Sequence, residues 1–256
     1  QSRLQKIISA FSGAVLLVLG LTSFIYPVKV SRSVVWKEIP FSLLAAIVLI
    51  IAANDKVIDF DSVSLISRVD GLLILTFFLI FIYYMLEHAR STRNLNLEKT
   101  LELGEQGYFK LSFLIIGGVI SLSLGGKLVV DSIINISQDI GLSKFFLSST
   151  VIAVGTSLPE TMTSLMAAKK GKFGISVGNV VGSNIFNILF ILGITAAIFT
   201  VPVSGFFNLD MIFLIIVSGL FFVFMFLGRK HEMSQWKGLF FLILYALYVV
   251  SNFYRG

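Results

Sequence analysis

An acidic residue, Glu160, stands within the mostly apolar run AVGTSLPETMTSLMAA at 153–168. A carboxylate at the centre of a bilayer costs at least about 2.5–3.5 kcal/mol on insertion scales, so an acid there faces an aqueous cavity or holds a cation. Pro159 beside it has no N–H, and its ring disturbs the turn behind it. The carbonyl of Gly155, four residues earlier, thereby loses its partner. Thr156 lies four residues before Glu160 and shares its helix face, and Ser157 adds a second hydroxyl. Hydroxyl, carbonyl and carboxylate oxygens are what hard cations such as Ca²⁺ and Na⁺ prefer. The plainer alternative is a proline-kinked helix whose glutamate hydrogen-bonds a neighbouring helix.

A second polar group follows at 174–187, GISVGNVVGSNIFN. Gly174, Gly178 and Gly182 recur every four residues and predict a smooth stripe for close helix contact. Ser183 and Asn187, also four apart, lie on a face close to that stripe, and Asn179 and Asn184 add further amides. Helix packing with amide hydrogen bonds accounts for the glycines. The nearness of Ser183 and Asn187 to the first polar cluster favours ligation for those two.

The elements that position these residues follow from composition. The chain has 256 residues, of which 56% are hydrophobic and 13% charged. Soluble domains carry roughly 25% charged residues. The mean hydropathy is +0.94. This excludes a disordered chain, a coiled coil and a disulfide scaffold; the absence of Cys excludes thiol chemistry and Cys-ligated zinc. Eight apolar stretches are long enough to cross a bilayer, at 7–28, 37–53, 70–86, 109–134, 142–168, 174–199, 206–227 and 237–253. They are continuous rather than alternating in polarity, which predicts an all-helical, polytopic membrane protein and not a β-barrel.

The net charge of +6 belongs to the loops rather than to a nucleic-acid site. One set of loops, around Lys29–Lys37, Arg90–Lys110, Lys169–Lys172 and Arg229–Lys237, holds 13 of the 20 basic residues; the opposite set, with both termini, holds six. The richer set is expected in the cytoplasm, which places both termini outside. Lys127 and Asp131, four apart within a span, are expected to form an intrahelical pair.

The chain also repeats itself. VLLVLGLTSFIYPVKV at 15–30 aligns without a gap on ILFILGITAAIFTVPV at 188–203, with identities that include Leu19/Leu192, Gly20/Gly193, Thr22/Thr195, Ile25/Ile198 and Val28/Val201. Further on, ISRVDGLLIL at 66–75 resembles MSQWKGLFFL at 233–242. The copies are predicted to cross the membrane in opposite directions. Inverted-topology repeats are the construction of many secondary transporters, with the site at the midplane between them.

The motifs GTSLPE at 155–160 and GNVVGSNIFNILFILG at 178–193 together resemble the second α-repeat of the sodium/calcium exchanger family, of the calcium:cation antiporter superfamily, in its bacterial and archaeal form. The resemblance implies a fold of ten helices in two inverted halves of five, with one α-repeat from each half building a central cation site. It implies Glu160 as a principal carboxylate ligand of Ca²⁺ and Na⁺, with Thr156, Ser157, Ser183, Asn187 and the carbonyl of Ala153 adding further oxygens. The transported ions are the only ligands implied; no cofactor and no enzymatic activity are expected. The implied organisation is an incomplete first half at 1–86, a cytoplasmic linker at 87–107, and a complete second half at 108–256 with its α-repeat at 142–200.

Three departures from the family pattern are visible. Asn187 stands where some members have Asp, and Ser148 where a Gly is expected. The two helices that precede residue 15 in a complete member are absent, and SAFSGA at 9–14 does not match GSNIFN. The expectation is therefore eight of ten helices, in a truncated chain. The implied function is antiport of Ca²⁺ or another cation against Na⁺ or H⁺ in the plasma membrane, impaired here because Ca²⁺ usually takes six to eight oxygens and commonly more than one carboxylate. The alternative is a non-transporting remnant, or a subunit of a split exchanger whose partner chain supplies the missing repeat.

Overall fold

A computed structural model describes residues 13–54, 65–95, 105–139, 152–203 and 207–255. Eight helices are present among them. Helix α1 comprises a π-wound stretch, Ala14–Leu19, continued by Gly20–Ile25. Helix α2 likewise joins Val34–Glu38 to Ile39–Ala52. Then come α3 (Arg68–Leu95), α4 (Glu105–Asp139) and α5 (Ile152–Lys169). Helix α6 runs from Phe173–Ile185 through π-wound Phe186–Leu192 to Gly193–Ile198, and α7 (Phe207–Phe224) and α8 (Gln235–Arg255) follow.

Among the described residues, five helices are long and apolar enough to span a membrane: Val34–Ala52, Arg68–Arg90, Phe109–Val129, Phe173–Ile198 and Gln235–Tyr254. Val15–Ile25 and Asn208–Phe224 are shorter apolar helices. Parts of the predicted first and fifth spans, 7–12 and 142–151, lie outside the described residues, as does Ser148. Helix α3 continues nine residues past the apolar text that ends at Leu86, because its tail of Leu, Glu, Ala and Arg consists mostly of good helix formers.

The helices are not the whole secondary structure. Strands β1 (Val28–Lys29) and β4 (Glu232–Met233) form one antiparallel ribbon, and β2 (Leu65–Ile66) and β3 (Val201–Pro202) form another. Their registers are reciprocal. Val28 pairs with Met233 and Lys29 with Glu232; Val201 pairs with Ile66 and Pro202 with Leu65. Substituting each residue by its counterpart in the sequence repeat converts one ribbon into the other.

The reciprocity extends to packing. A Cβ on Gly71 would overlap the backbone of Ala196 and Ala197, and one on Gly238 would sit 2.5 Å from Phe24 N and 2.9 Å from Ser23 C. Gly71 and Gly238 are counterparts, as are Ala196/Ser23 and Ala197/Phe24. Each glycine admits the close approach of α3 to α6, or of α8 to α1. Helices α1 and α6 each pass from π-wound to α-helical at an equivalent glycine, Gly20 or Gly193. Each then ends at an extended residue, Tyr26 or Phe199.

The ends of α1 and α6 lie at opposite ends of the molecule. Helix α1 runs into the β1/β4 ribbon and α6 into the β2/β3 ribbon; near the latter, Asn208 Nδ2 of α7 donates to Asn54 Oδ1 beyond α2 at 2.8 Å. The fold is consistent with inverted repeats. Its buried core lies where α1, α2, α6 and α7 meet, at Leu16, Leu19, Leu49, Val180, Leu189, Leu192 and Val217. The outer faces carry exposed apolar side chains, including Leu79 and Tyr83 on α3 and Phe109 and Leu128 on α4. Apolar faces of that extent mark contact with a membrane.

The repeats differ at one informative pair. Ser67 and Asp70 form a capping box at the start of α3: the Ser67 N–H and Oγ donate to Asp70 Oδ2 at 2.8 and 2.6 Å, and the Asp70 N–H donates to Ser67 Oγ at 3.2 Å. The counterparts at the start of α8 are Ser234 and Lys237, and a lysine cannot accept. Lys237 was expected among the loop cations, yet it is fully buried. Its Nζ donates to the carbonyls of Phe224 and Glu232, both at 2.6 Å, and so satisfies the end of α7. The expected pairing of Lys127 with Asp131 is not formed; both side chains are exposed on α4. The ion pair found among the described residues is Arg229–Glu232, at 3.6 Å.

Candidate functional site: a polar seam between α5 and α6

Helices α5 and α6 form an antiparallel hairpin closed by a three-residue turn. The turn is a Schellman motif, in which the Lys172 N–H donates to Ala167 O at 2.8 Å and the Gly171 N–H to Ala168 O at 2.9 Å. Gly171 has φ +68°, a left-handed conformation that residues with a Cβ rarely adopt. This turn sets the register of everything above it.

Three side-chain hydrogen bonds then join the helices. Ser164 Oγ donates to Ser176 O at 3.1 Å, and Asn179 Nδ2 donates both to Ser164 Oγ at 3.0 Å and to the main-chain oxygen of Glu160 at 3.1 Å. Residues 164 and 176, then 160 and 179, are therefore level. With the same rise per residue in both helices, Ser183 is level with Thr156 and Ser157, and Asn187 with Ala153. The sequence-predicted residues are brought to facing stretches of one hairpin, though none of them bonds another directly among the bonds described.

Each candidate has a distinct environment. Glu160 is half-buried, and its Oε2 is shielded from solvent without a hydrogen-bond partner. Among the described residues, no hydrogen bond joins its side chain to a neighbouring helix. Ser157 is 4% exposed. Ser183 is half-buried, and its hydroxyl donates to Val180 O at 3.1 Å. Asn187 is half-buried as well. Ala153 and Thr156 lie on α5 by their backbone, and their side chains fall outside the described set.

Pro159 does not break α5, which is continuous across it. Helix α4 packs on this turn at Gly126, where a Cβ would make ordinary contact, 3.6 Å from Gly155 O and 3.8 Å from the Pro159 ring. The predicted glycine stripe of α6 turns out otherwise than expected. Among the described residues, a Cβ on Gly174, Gly178 or Gly182 would meet no atom within 4 Å. Spacing identifies which residues share a face, not whether a neighbour covers it.

Next to the seam, Val15, Leu19, Ile39, Ser42, Val180, Val181, Asn184, Ser218 and Phe221 enclose a cavity of about 10 Å³. That is room for about one water. Asn184 is 2% exposed and its Oδ1 has no partner. Sequence reasoning passed over Ser164 and Gly126. The first continues the i, i+4 series Thr156–Glu160 by one turn, a signal that was there to be followed; the second had none.

No group of three or more His, Asp or Glu side chains that could hold a metal occurs among the described residues. A cation on the seam would be held by one carboxylate with hydroxyl, amide and carbonyl oxygens. This donor set suits hard, weakly held cations rather than zinc or copper.

The family model for "Sodium/calcium exchanger protein" matches residues 110–254, which contain the whole hairpin. The chain belongs to the sodium/calcium exchanger protein family. Inner membrane protein YrbG of Escherichia coli (strain K12) is 33% identical over 190 residues, covering 72% of this chain and 56% of that protein. A membrane protein of Methanocaldococcus jannaschii, MJ0091, is 32% identical over 235 residues, covering 92% and 71%. A solved structure of the sodium-calcium exchanger NCX_Mj, soaked with Na⁺ and Sr²⁺, superposes with a TM-score of 0.74 at 31% identity, covering 97% of this chain and 76% of that one. The chain thus spans just over half the length of the first of these relatives and about three quarters of the exchanger structure. Members of the family are membrane transporters rather than enzymes, and the fold is that of the exchanger.

Proposed function

We propose that this chain carries out antiport of Ca²⁺, or another cation of similar hardness, against Na⁺ or H⁺ by alternating access. Glu160 is its principal ligand, and Thr156, Ser157, Ser183, Asn187 and the Ala153 carbonyl supply the remaining oxygens. The observation that carries the reading is the shielded, unpartnered Oε2 of Glu160 on a polar seam at membrane depth. A carboxylate so placed is stabilised by a cation and is costly without one.

Asn187 contributes an uncharged oxygen, so the seam brings one carboxylate to a dication. Ca²⁺ commonly takes more than one, and transport in this reading needs ligands from outside the described residues, from this polypeptide or a partner chain. The ions are substrates, and no resident cofactor enters the scheme.

The end bearing the β1/β4 ribbon, with Lys29, Arg32, Lys37, Arg229 and Lys230, is proposed to face the cytoplasm. Both termini are then outside. The native chain has no Cys, so Lys230→Cys and Thr200→Cys test this directly: an impermeant maleimide applied outside intact cells labels Thr200→Cys alone. The reverse pattern overturns the orientation.

Exchange itself is read in proteoliposomes that hold the protein with any chain that co-purifies with it, loaded with Na⁺ or held at acid internal pH and presented with calcium-45. Uptake driven by one of the two gradients is expected, and its identity names the counter-ion. A passive cation current with no dependence on either gradient would instead identify a channel.

A further inference from the structure

Arg32 and Trp36 stand on the wall between two open clefts at the β1/β4 end of the molecule. One cleft, of about 640 Å³, is lined by Arg32, Ser33, Trp36, Lys37 and His88. The other, of about 520 Å³, is lined by Arg32, Trp36, Phe226, Lys230 and His231. Among the described residues, their linings contain three permanent cations and two imidazoles, and no carboxylate. Of the acids nearest in sequence, Glu38 and Glu232 are buried and Glu87, beside His88, is exposed; none of the three lines either cleft. Arg229, not Arg32 or Lys230, takes up Glu232.

The geometry is held from several sides. Trp36 packs edge-on against Phe222 and Phe226, at 6.0 and 5.3 Å between centroids, yet remains 53% exposed. Lys37 Nζ sits 5.0 Å above the Tyr84 ring, which stacks on His88 at 6.1 Å, and Ser33 Oγ lies 3.3 Å from the Tyr84 hydroxyl. The Val30 N–H donates to His231 O at 2.8 Å, tying the loop before α2 to the loop after α7. Cleft residues thus come from α2, α3 and the α7–β4 loop, with side chains already ordered by one another.

We propose that the two clefts form one site for the phosphate-bearing headgroup of an anionic phospholipid. Arg32 engages the phosphate oxygens as a planar fork, Lys37 and Lys230 flank it from either cleft, and Trp36 sits at the headgroup level of the bilayer. A free phosphate would satisfy the same cations. The lipid is favoured because the elements that line the clefts also carry exposed apolar side chains, which acyl chains would cover. These are Tyr83 and Leu86 on α3, 70% and 55% exposed, and Val223 and Leu227 at the end of α7, 48% and 43% exposed. Basic pockets between membrane helices on the cytoplasmic side bind anionic headgroups by this chemistry.

Native mass spectrometry of the purified protein released from vesicles of phosphatidylglycerol and phosphatidylcholine tests the assignment. Wild-type protein is expected to retain phosphatidylglycerol in preference to phosphatidylcholine, and 10-fold molar excess of inorganic phosphate over lipid to leave it bound. The pair Arg32→Gln with Lys230→Gln is expected to lower that retention about thirtyfold, the effect of two interfacial cations. A control pair of equal charge change at the same end, Lys169→Gln with Lys170→Gln, is expected to stay within about twofold. Equal loss in the control pair, equal retention of phosphatidylcholine, or displacement by inorganic phosphate overturns the proposal. All four side chains are exposed, so the variants are expected to fold, and an unchanged melting temperature verifies it.

Discussion

The side-chain amide of Asn179 on α6 donates to the main-chain carbonyl oxygen of Glu160 on α5, at 3.1 Å. That bond fixes the height of the one carboxylate on the seam, and the same amide also reaches Ser164 Oγ. Asn179→Ala removes both bonds and leaves the backbone free to shift along the hairpin. We expect the half-saturating Ca²⁺ concentration of exchange to rise about tenfold, from two neutral bonds at ~1 kcal/mol or less each. Ser164→Ala, which keeps the bond to Glu160, is expected to show a smaller rise, and calcium-45 uptake across a concentration series measures both. Equal effects would place the importance of Asn179 elsewhere.

Gly71 and Gly238 are the points of closest helix approach in the two repeats. An added methyl at either meets backbone rather than a movable side chain. Gly71→Ala and Gly238→Ala are therefore each expected to destabilise by about 1–3 kcal/mol or more. Gly219→Ala, where a Cβ meets nothing within 4 Å, is expected to be neutral or slightly stabilising. Thermal unfolding in detergent ranks the three, and a stable Gly238→Ala variant would contradict the packing described for α1 and α8.

Lys237 is buried because it closes α7, not because it pairs with an acid across the core. Lys237→Met keeps the apolar stem and removes the ammonium, leaving the Phe224 and Glu232 carbonyls without that donor. We expect a loss of about 2–3 kcal/mol. Asp70→Asn at the equivalent place is expected to lose only about 1 kcal/mol, the usual range for a cap. Denaturation midpoints of the two variants compare them directly; a milder loss at Lys237 would contradict its role.

Much of this molecule was legible before its structure. Charge is so costly in apolar text that Glu160 and Pro159 stood out by themselves, and the repeat at 15–30 and 188–203 pointed to two related halves, though not to the two ribbons that end them. The remainder was hidden for physical reasons. A serine such as Ser164 is cheap in a membrane helix, so its bond to Ser176 left no trace in composition. The stripe Gly174–Gly178–Gly182 told which residues share a face but not that the face is open. Lys237 has the length to reach backward to the end of the preceding helix, and no spacing rule distinguishes that from an exposed loop cation. The tail of α3 beyond Leu86 is helical by propensity alone, where hydropathy is silent.

The central claim is that Glu160 holds the transported cation. Calcium-45 uptake into proteoliposomes driven by the favoured counter-ion gradient, compared between wild-type and Glu160→Gln protein of equal melting temperature, tests it most directly. The account predicts gradient-driven uptake in the wild type and background uptake in Glu160→Gln, whose amide keeps the shape and the Asn179 bond but lacks the charge. Uptake by Glu160→Gln equal to that of the wild type would contradict it.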